Sequence, residues 1–207
     1  MAADKAEPKS VSALTKRKIE VLLRGQSMLV THCFSEKVKK EILDKQMKKT
    51  KEAKVARDPR ADFLAARYLN AAGLECVPIT ALKKALVNAA VAFDDLKKTE
   101  LRQALFVDPV GAPGAMLVPI ETHDGAPAVG VMREDPVTIG MGKRGLTYRP
   151  SYEQWQVRVT ITFNERLVSE EQLLALIEQA GWGVGICEGR PEKTSALGWG
   201  RFERVVA

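Results

Sequence analysis

Residues Trp155 to Gly181 restrict the fold more than any other stretch of the chain. From Trp155 to Phe163 apolar and polar side chains alternate without a break. Trp155, Val157, Val159, Ile161 and Phe163 fall on one face, and Gln156, Arg158, Thr160 and Thr162 on the other. A period of two over that length specifies a strand with one face buried and one wet. Ser169 then precedes Glu170, Glu171 and Gln172. Serine at the cap with glutamine at the third helical position is a capping box, and acidic residues in a first turn suit the helix dipole. Leu173, Leu174, Leu176, Ile177 and Ala180 form the apolar stripe of the helix, which Gly181 ends.

Strands at the two ends of the chain complete the pattern. Gly198 to Val206 reads as a last strand, with Phe202, Val205 and Val206 apolar. Ile19 to Cys33 (IEVLLRGQSMLVTHC) holds two apolar runs around Arg24-Gly25-Gln26-Ser27. One long strand with a glycine bulge and a hairpin both fit it. Pairing these segments gives an α+β fold, a ferredoxin-like βαββαβ antiparallel sheet covered by helices. The expected organisation is a flexible basic tail over 1–18 and a single domain over 19–207.

Two insertions are expected within that domain, a helical one at about 58–106 and a Gly/Pro-rich loop and β insertion at about 107–150. In the first, Asp58-Pro59 marks a break, and Ala61 to Ala72 reads as a helix ended by Gly73. Thr80 is the candidate cap of a second helix carrying Leu82, Leu86, Ala89, Ala90 and Phe93, and Leu96 to Leu105 adds a further turn or two. In the second, Met116–Ile120, Ala128–Val131 and Pro136–Ile139 read as short strands and Gly140 to Gly145 as a basic turn.

Composition removes several function classes. At 207 residues the chain is large enough to bury a core without a metal or disulfide staple. The three cysteines, Cys33, Cys76 and Cys187, are odd in number and widely spaced, which argues against a disulfide scaffold or zinc knuckle and for a reducing, cytoplasmic setting. The opening MAADKAEPKS lacks the apolar run of a signal peptide, and no stretch approaches a membrane span. With only His32 and His123, a histidine-rich metal site is not available, and no cofactor motif is present.

The net charge of +6 permits an anionic partner without requiring one. Glu36 to Arg60 carries ten basic residues against five acidic ones, among them Lys39, Lys40, Lys48, Lys49, Lys51 and Lys54. A solvated amphipathic helix and a phosphate-contacting surface both fit that segment. Gly181 to Gly200 holds six glycines in twenty residues, interleaved with Arg190 and Lys193 and followed by Arg201. The run is neither a dinucleotide fingerprint nor a Walker A loop. Exposed amides and guanidinium groups suit phosphates, and Trp182 and Trp199 suit base stacking. The competing reading makes both tryptophans core residues and pairs the arginines with nearby glutamates. Upstream, Lys143, Arg144, Tyr148, Arg149 and Arg158 join basic and aromatic groups in a second candidate surface.

The strand and helix of Trp155–Gly181, the loop GVGICEGRPEK and the closing GWGRFE resemble the glycine-rich C-terminal part of RAMP-type (Cas7-like) proteins, the RNA-binding backbone and processing subunits of CRISPR effector complexes. The resemblance covers roughly Trp155 to Glu203. It implies that Gly183–Gly200 is the family's glycine-rich loop and that Glu36–Phe106 is its variable helical insertion. The chain departs from the family pattern in showing no second glycine-rich domain, and His32 is not assigned the role of the early histidine of cleaving members. The composition also resembles that of a phage or mobile-element protein, which would place it in the host cytoplasm.

Three functions follow. The first is a non-enzymatic protein that binds single-stranded RNA or DNA through its basic and glycine-rich loops, alone or as the repeating subunit of an oligomeric assembly. The second is a structural or assembly protein of a virion or multisubunit complex. The third is a metal-independent ribonuclease using His32 or His123 with Tyr148 or Lys143. The resemblance favours binding over cleavage.

Overall fold

The computed structural model describes residues 14–34, 36–47, 56–139, 143–194 and 196–206. Its main sheet is built from β1 (Lys16–Gly25), β4 (Leu105–Pro109), β8 (Gln156–Asn164) and β9 (Phe202–Arg204), in the order β4-β8-β1-β9 with every neighbour antiparallel. Helix α3 (Ile79–Ala89) lies between β1 and β4 in the chain, and α5 (Glu170–Gln179) between β8 and β9. This β1-α3-β4-β8-α5-β9 succession is consistent with the ferredoxin-like expectation.

The core lies between one face of this sheet and the two helices. Val21 and Leu23 of β1 and Val157, Val159, Ile161 and Phe163 of β8 meet Leu82, Ala85 and Leu86 of α3 and Leu173, Leu176 and Ile177 of α5. Each fully buried Val, Leu, Ile or Phe side chain contributes about 1.5–3 kcal/mol before conformational entropy is subtracted. On the opposite face Glu20 and Arg158 are exposed. The capping box is as expected: Ser169 Oγ accepts from the Gln172 amide at 3.2 Å, and Gln172 Oε1 accepts from the Ser169 amide at 2.9 Å.

Several expectations are corrected. Helix α3 packs on the main sheet, so the 58–106 segment is not wholly an insertion; it supplies a core element. Residues Lys16–Lys18, expected in the tail, belong to β1. Helix α2 is only Pro59–Ala65, with Pro59 at its start and Asp58 Oδ1 accepting from the Arg60 and Ala61 amides. Thr80 does not cap α3, which has no side-chain cap. Helix α5 does not stop at Gly181 but widens into a turn over Ala180–Val184 that ends at Gly185. Helices α1 (Glu36–Gln46) and α4 (Lys98–Ala104) complete the helical elements.

A second sheet, in the order β2-β7-β6, joins β2 (Leu29–Val30), β7 (Lys143–Tyr152) and β6 (Val131–Ile139). Lys143–Gly145, expected within the basic turn, and the residues that follow are thus strand, Ala128–Gly130 is not, and residues 140–142 of the expected turn lie outside the described residues. A third, two-stranded sheet pairs β3 (Cys76–Pro78) with β5 (Leu117–Pro119).

The first two sheets are two halves of one bent ribbon. β1 pairs with β8 up to Arg24 opposite Gln156, and β2 pairs with β7 from Leu29 opposite Tyr152. At the bend the Gly25 amide donates to Trp155 O at 2.8 Å, and Trp155 Nε1 donates to Ser27 O at 2.8 Å. The Trp155 side chain is fully buried, and a Cβ on residue 25 would lie inside its indole ring. Glycine is required there by close approach.

A buried ionic cluster braces the second sheet. Glu75 accepts from Arg67 at 2.6 Å, from the Tyr152 hydroxyl at 2.5 Å and from the Gly130 amide at 2.7 Å. Burial, then the bond to Glu75, push the Tyr152 hydroxyl well above the ordinary tyrosine range.

The bend predicts a large cost for one methyl group. Gly25→Ala must displace Trp155, and is expected to lower unfolding free energy by about 3 kcal/mol, the upper range for overpacking. Denaturant titration followed by tryptophan fluorescence measures it; a loss under about 0.5 kcal/mol, the range of ordinary surface changes, contradicts the account of the bend.

Candidate nucleic-acid interface

The glycine-rich loop is tied to the bend. The Gly200 amide donates to Met28 O at 2.8 Å, Glu188 to Val30 O at 3.0 Å, Gln26 to Arg201 O at 2.8 Å, and the Arg201 amide to Ser27 Oγ at 2.9 Å. The loop's two limbs are joined by Ile186 N to Gly200 O at 2.9 Å and Trp199 N to Gly189 O at 3.0 Å. Gly185, Gly189, Gly198 and Gly200 all have positive φ, as does Cys187 at +62°. At Gly189 the requirement is double, because a Cβ would also penetrate the Trp199 ring.

A cleft of about 270 Å³ opens between this loop and the first half of α3. Thr80, Ala81 and Lys84 come from α3, His32 from the segment after β2, Tyr68 from the segment after α2, and Cys187, Glu188, Arg190 and Lys193 from the loop. Arg190 is oriented rather than loose: its Nη1 donates to Cys187 O at 2.8 Å and its Nε to Glu192 at 3.0 Å. Lys84 and Lys193 are exposed and have no ion-pair partner among the described residues. The Tyr68 hydroxyl donates to His32 O at 3.2 Å. Burial pushes the Cys187 thiol up to about 12, so it stays protonated and is no thiolate nucleophile near neutral pH.

The sequence-predicted residues separate into groups. His32, Arg190 and Lys193 share the cleft. Trp182 and Arg201 form a ledge outside the cleft lining: the indole is 69% exposed, and the guanidinium lies 4.5 Å from its ring centroid. Trp199 is half-buried, packed on Gly189 with Arg133 at 4.8 Å over its ring. Arg149 is corrected as a surface contact: it is 7% exposed and paired with Asp135 at 2.7 Å and Glu188 at 3.4 Å.

Arg158 pairs with Glu121 at 3.1 Å on the open face of the main sheet, away from the cleft. Tyr148 lies on β7 with the Arg57 guanidinium 5.8 Å from its ring centroid, and Arg144 is exposed on the same strand. His123 is exposed in the turn closed by the Thr122 and Ala126 backbones and does not line the cleft. Lys39 and Lys40 are exposed on α1. Lys48, Lys49, Lys51 and Lys54 lie outside the described residues, as does the Lys143 side chain.

Lys84 and Tyr68 were missed by sequence reasoning. The Lys83-Lys84 pair on the polar side of an apolar stripe was the available signal for the first; nothing local marked the second. Among the described residues no group of three His, Cys, Asp or Glu is placed to hold a metal ion, and no helix is long and apolar enough to cross a membrane.

No protein-family model and no curated protein matches the chain. Among solved structures, the crystal structure of Cmr6 from Pyrococcus furiosus shows weak similarity. It covers 93% of this chain and 100% of that one, at 12% identity and a TM-score of 0.45. At that level the likeness bears on neither site nor activity.

The cleft makes a prediction about His32. Burial lowers its pKa below the ordinary 6.5; the Arg149 charge adds to the lowering and Glu188 opposes it. The unfolded chain therefore takes the proton more readily than the folded one. The stability held by neutral His32 is complete above the ordinary histidine value and is lost as pH falls through the lowered one. An NMR titration of the His32 ring, assigned with a His32→Gln variant, is expected to show a midpoint below 6.5 that rises when a single-stranded oligonucleotide is added. A midpoint at or above 6.5 in the unliganded protein contradicts the cleft geometry.

Proposed function

We propose that the chain is a non-enzymatic nucleic-acid-binding protein that takes a single strand across the cleft beneath its glycine-rich loop. The observation that carries this reading is the pair of exposed lysines, Lys84 and Lys193, facing one cleft without carboxylate partners among the described residues. The arginines in and beside the loop are engaged: Arg190 with Glu192, Arg149 of β7 with Asp135 and Glu188, and Arg201 over Trp182. Unpaired ammonium groups bind phosphates as point charges, without the bidentate geometry of arginine. The Trp182 ledge offers a face for an unstacked base, an arrangement a single strand can use and a duplex cannot.

The resemblance of residues 155–203 to RAMP-type proteins supports the same reading and makes RNA the first ligand to test. Membership of an assembly is compatible with it, because exposed Val131 and Met132 begin β6, the edge strand of the second sheet, and exposed Val129 lies just before them.

Fluorescence anisotropy with labelled oligouridylate tests the proposal. Affinity is expected to fall with salt. The double variant Lys84→Ala/Lys193→Ala is expected to flatten the slope of log K against log salt by about 1.4, the value for two phosphate contacts to a single strand. An unchanged slope in that variant, or no binding by the natural chain at low salt, overturns the proposal.

A further inference from the structure

The loop that carries Arg190 and Lys193 is held by an arrangement of charge in the second sheet. In β6 and β7, Arg133 stands directly opposite Arg149. Like charges across a strand pair repel. Asp135 lies on the same face as Arg133, two residues along, and gives one carboxylate oxygen to each guanidinium: Oδ1 to Arg133 Nε at 2.7 Å and Oδ2 to Arg149 Nη2 at 2.7 Å. Both arginines are thereby oriented, and each reaches a different limb of the glycine-rich loop. Arg149 Nη1 meets Glu188 at 3.4 Å, and the Arg133 guanidinium lies 4.8 Å from the Trp199 ring centroid. Asp135 and Arg149 are both 7% exposed, so this polar arrangement occupies a place where apolar residues would pack. Buried ion pairs of this kind add little net stability against apolar replacements, but they do fix geometry.

We infer that Asp135 and Glu188 are positioning residues for nucleic-acid binding: one buried carboxylate aims two arginines that clamp both limbs of the loop and so hold Arg190 and Lys193 at the cleft. The inference rests on the proposed nucleic-acid reading. It explains why Arg149, which looks from the sequence like a phosphate contact, is buried. Its charge acts on the loop rather than on a ligand. Displacing the Glu188 limb would move Arg190 and Lys193, which follow it directly, while leaving their charges in place.

Asp135→Asn keeps the shape of the residue and removes the charge between the arginines. Glu188→Gln, on a half-exposed side chain that also lines the cleft, breaks the last link and keeps the test decisive should Asp135→Asn fail to fold: removing a negative charge from the cleft by itself favours a phosphate, so a loss of affinity there reports the loop's position. Each variant is compared with the natural chain by anisotropy with labelled oligouridylate, at a temperature well below its melting point, and by hydrogen exchange across residues 186–200. The expected result is affinity reduced about fivefold or more, the scale of coupling between sites, with faster exchange in the loop and an unchanged main sheet. Affinity and loop exchange equal to the natural chain in both variants, while Lys84→Ala/Lys193→Ala loses binding, overturns the positioning role and leaves the nucleic-acid reading standing. A lowered melting temperature with natural affinity overturns it in the same way. A natural chain that does not bind the oligonucleotide overturns both.

Discussion

The packing of the Trp155 indole onto Gly25 is the contact on which the rest of this structure depends. It breaks a long antiparallel ribbon into two sheets at one place. On one side, β1 and β8 extend into the four-stranded sheet with its two helices. On the other, β2 and β7 continue into the smaller sheet. The bend leaves backbone and side-chain groups of Gln26, Ser27, Met28 and Val30 to bond the glycine-rich loop instead of a neighbouring strand. The cleft exists because that loop is fixed at the bend while α3 is fixed on the main sheet.

Charge is distributed unevenly over this frame. Near the bend, arginines act as structural cations, with Arg67 on Glu75, Arg133 and Arg149 on Asp135, and Arg190 on Glu192. Their planar, multidentate heads suit fixed carboxylate geometry. The lysines at the cleft have flexible stems and compact charges, suited to a phosphate whose position varies along a strand. The formal net charge of +6 conceals this division, because paired arginines count toward it as fully as unpaired lysines.

Local signals in the sequence carried much of the fold. The alternation of Val157 to Phe163 and the Ser169–Gln172 capping box depend on neighbours in the chain, and both hold in the structure. Helical periodicity correctly marked Leu82 and Leu86 as one face of a helix. It could not say what that face meets, and α3 was therefore read as an insertion although it covers the main sheet. β7 was hidden because its alternation, Leu146, Tyr148, Pro150 and Tyr152, is interrupted by Pro150, a residue that usually ends strands, and by the charged Arg149, which usually signals solvent. Its ion pairs with Asp135 and Glu188 make its burial tolerable. The cleft was half legible: Arg190 and Lys193 stand in an evident glycine-rich loop, but Lys84 and Tyr68 come from distant segments that only the tertiary fold brings beside it.

Photocrosslinking tests the central claim, that the cleft beneath the glycine-rich loop is where a nucleic acid lies. A single-stranded RNA carrying 4-thiouridine would be irradiated with the intact protein and the attached peptides read by mass spectrometry. The account predicts attachment at Tyr68, His32 or Trp182 and in the loop around Lys193. Attachment confined to α1, to the β6–β7 hairpin or to the open face of the four-stranded sheet would contradict it.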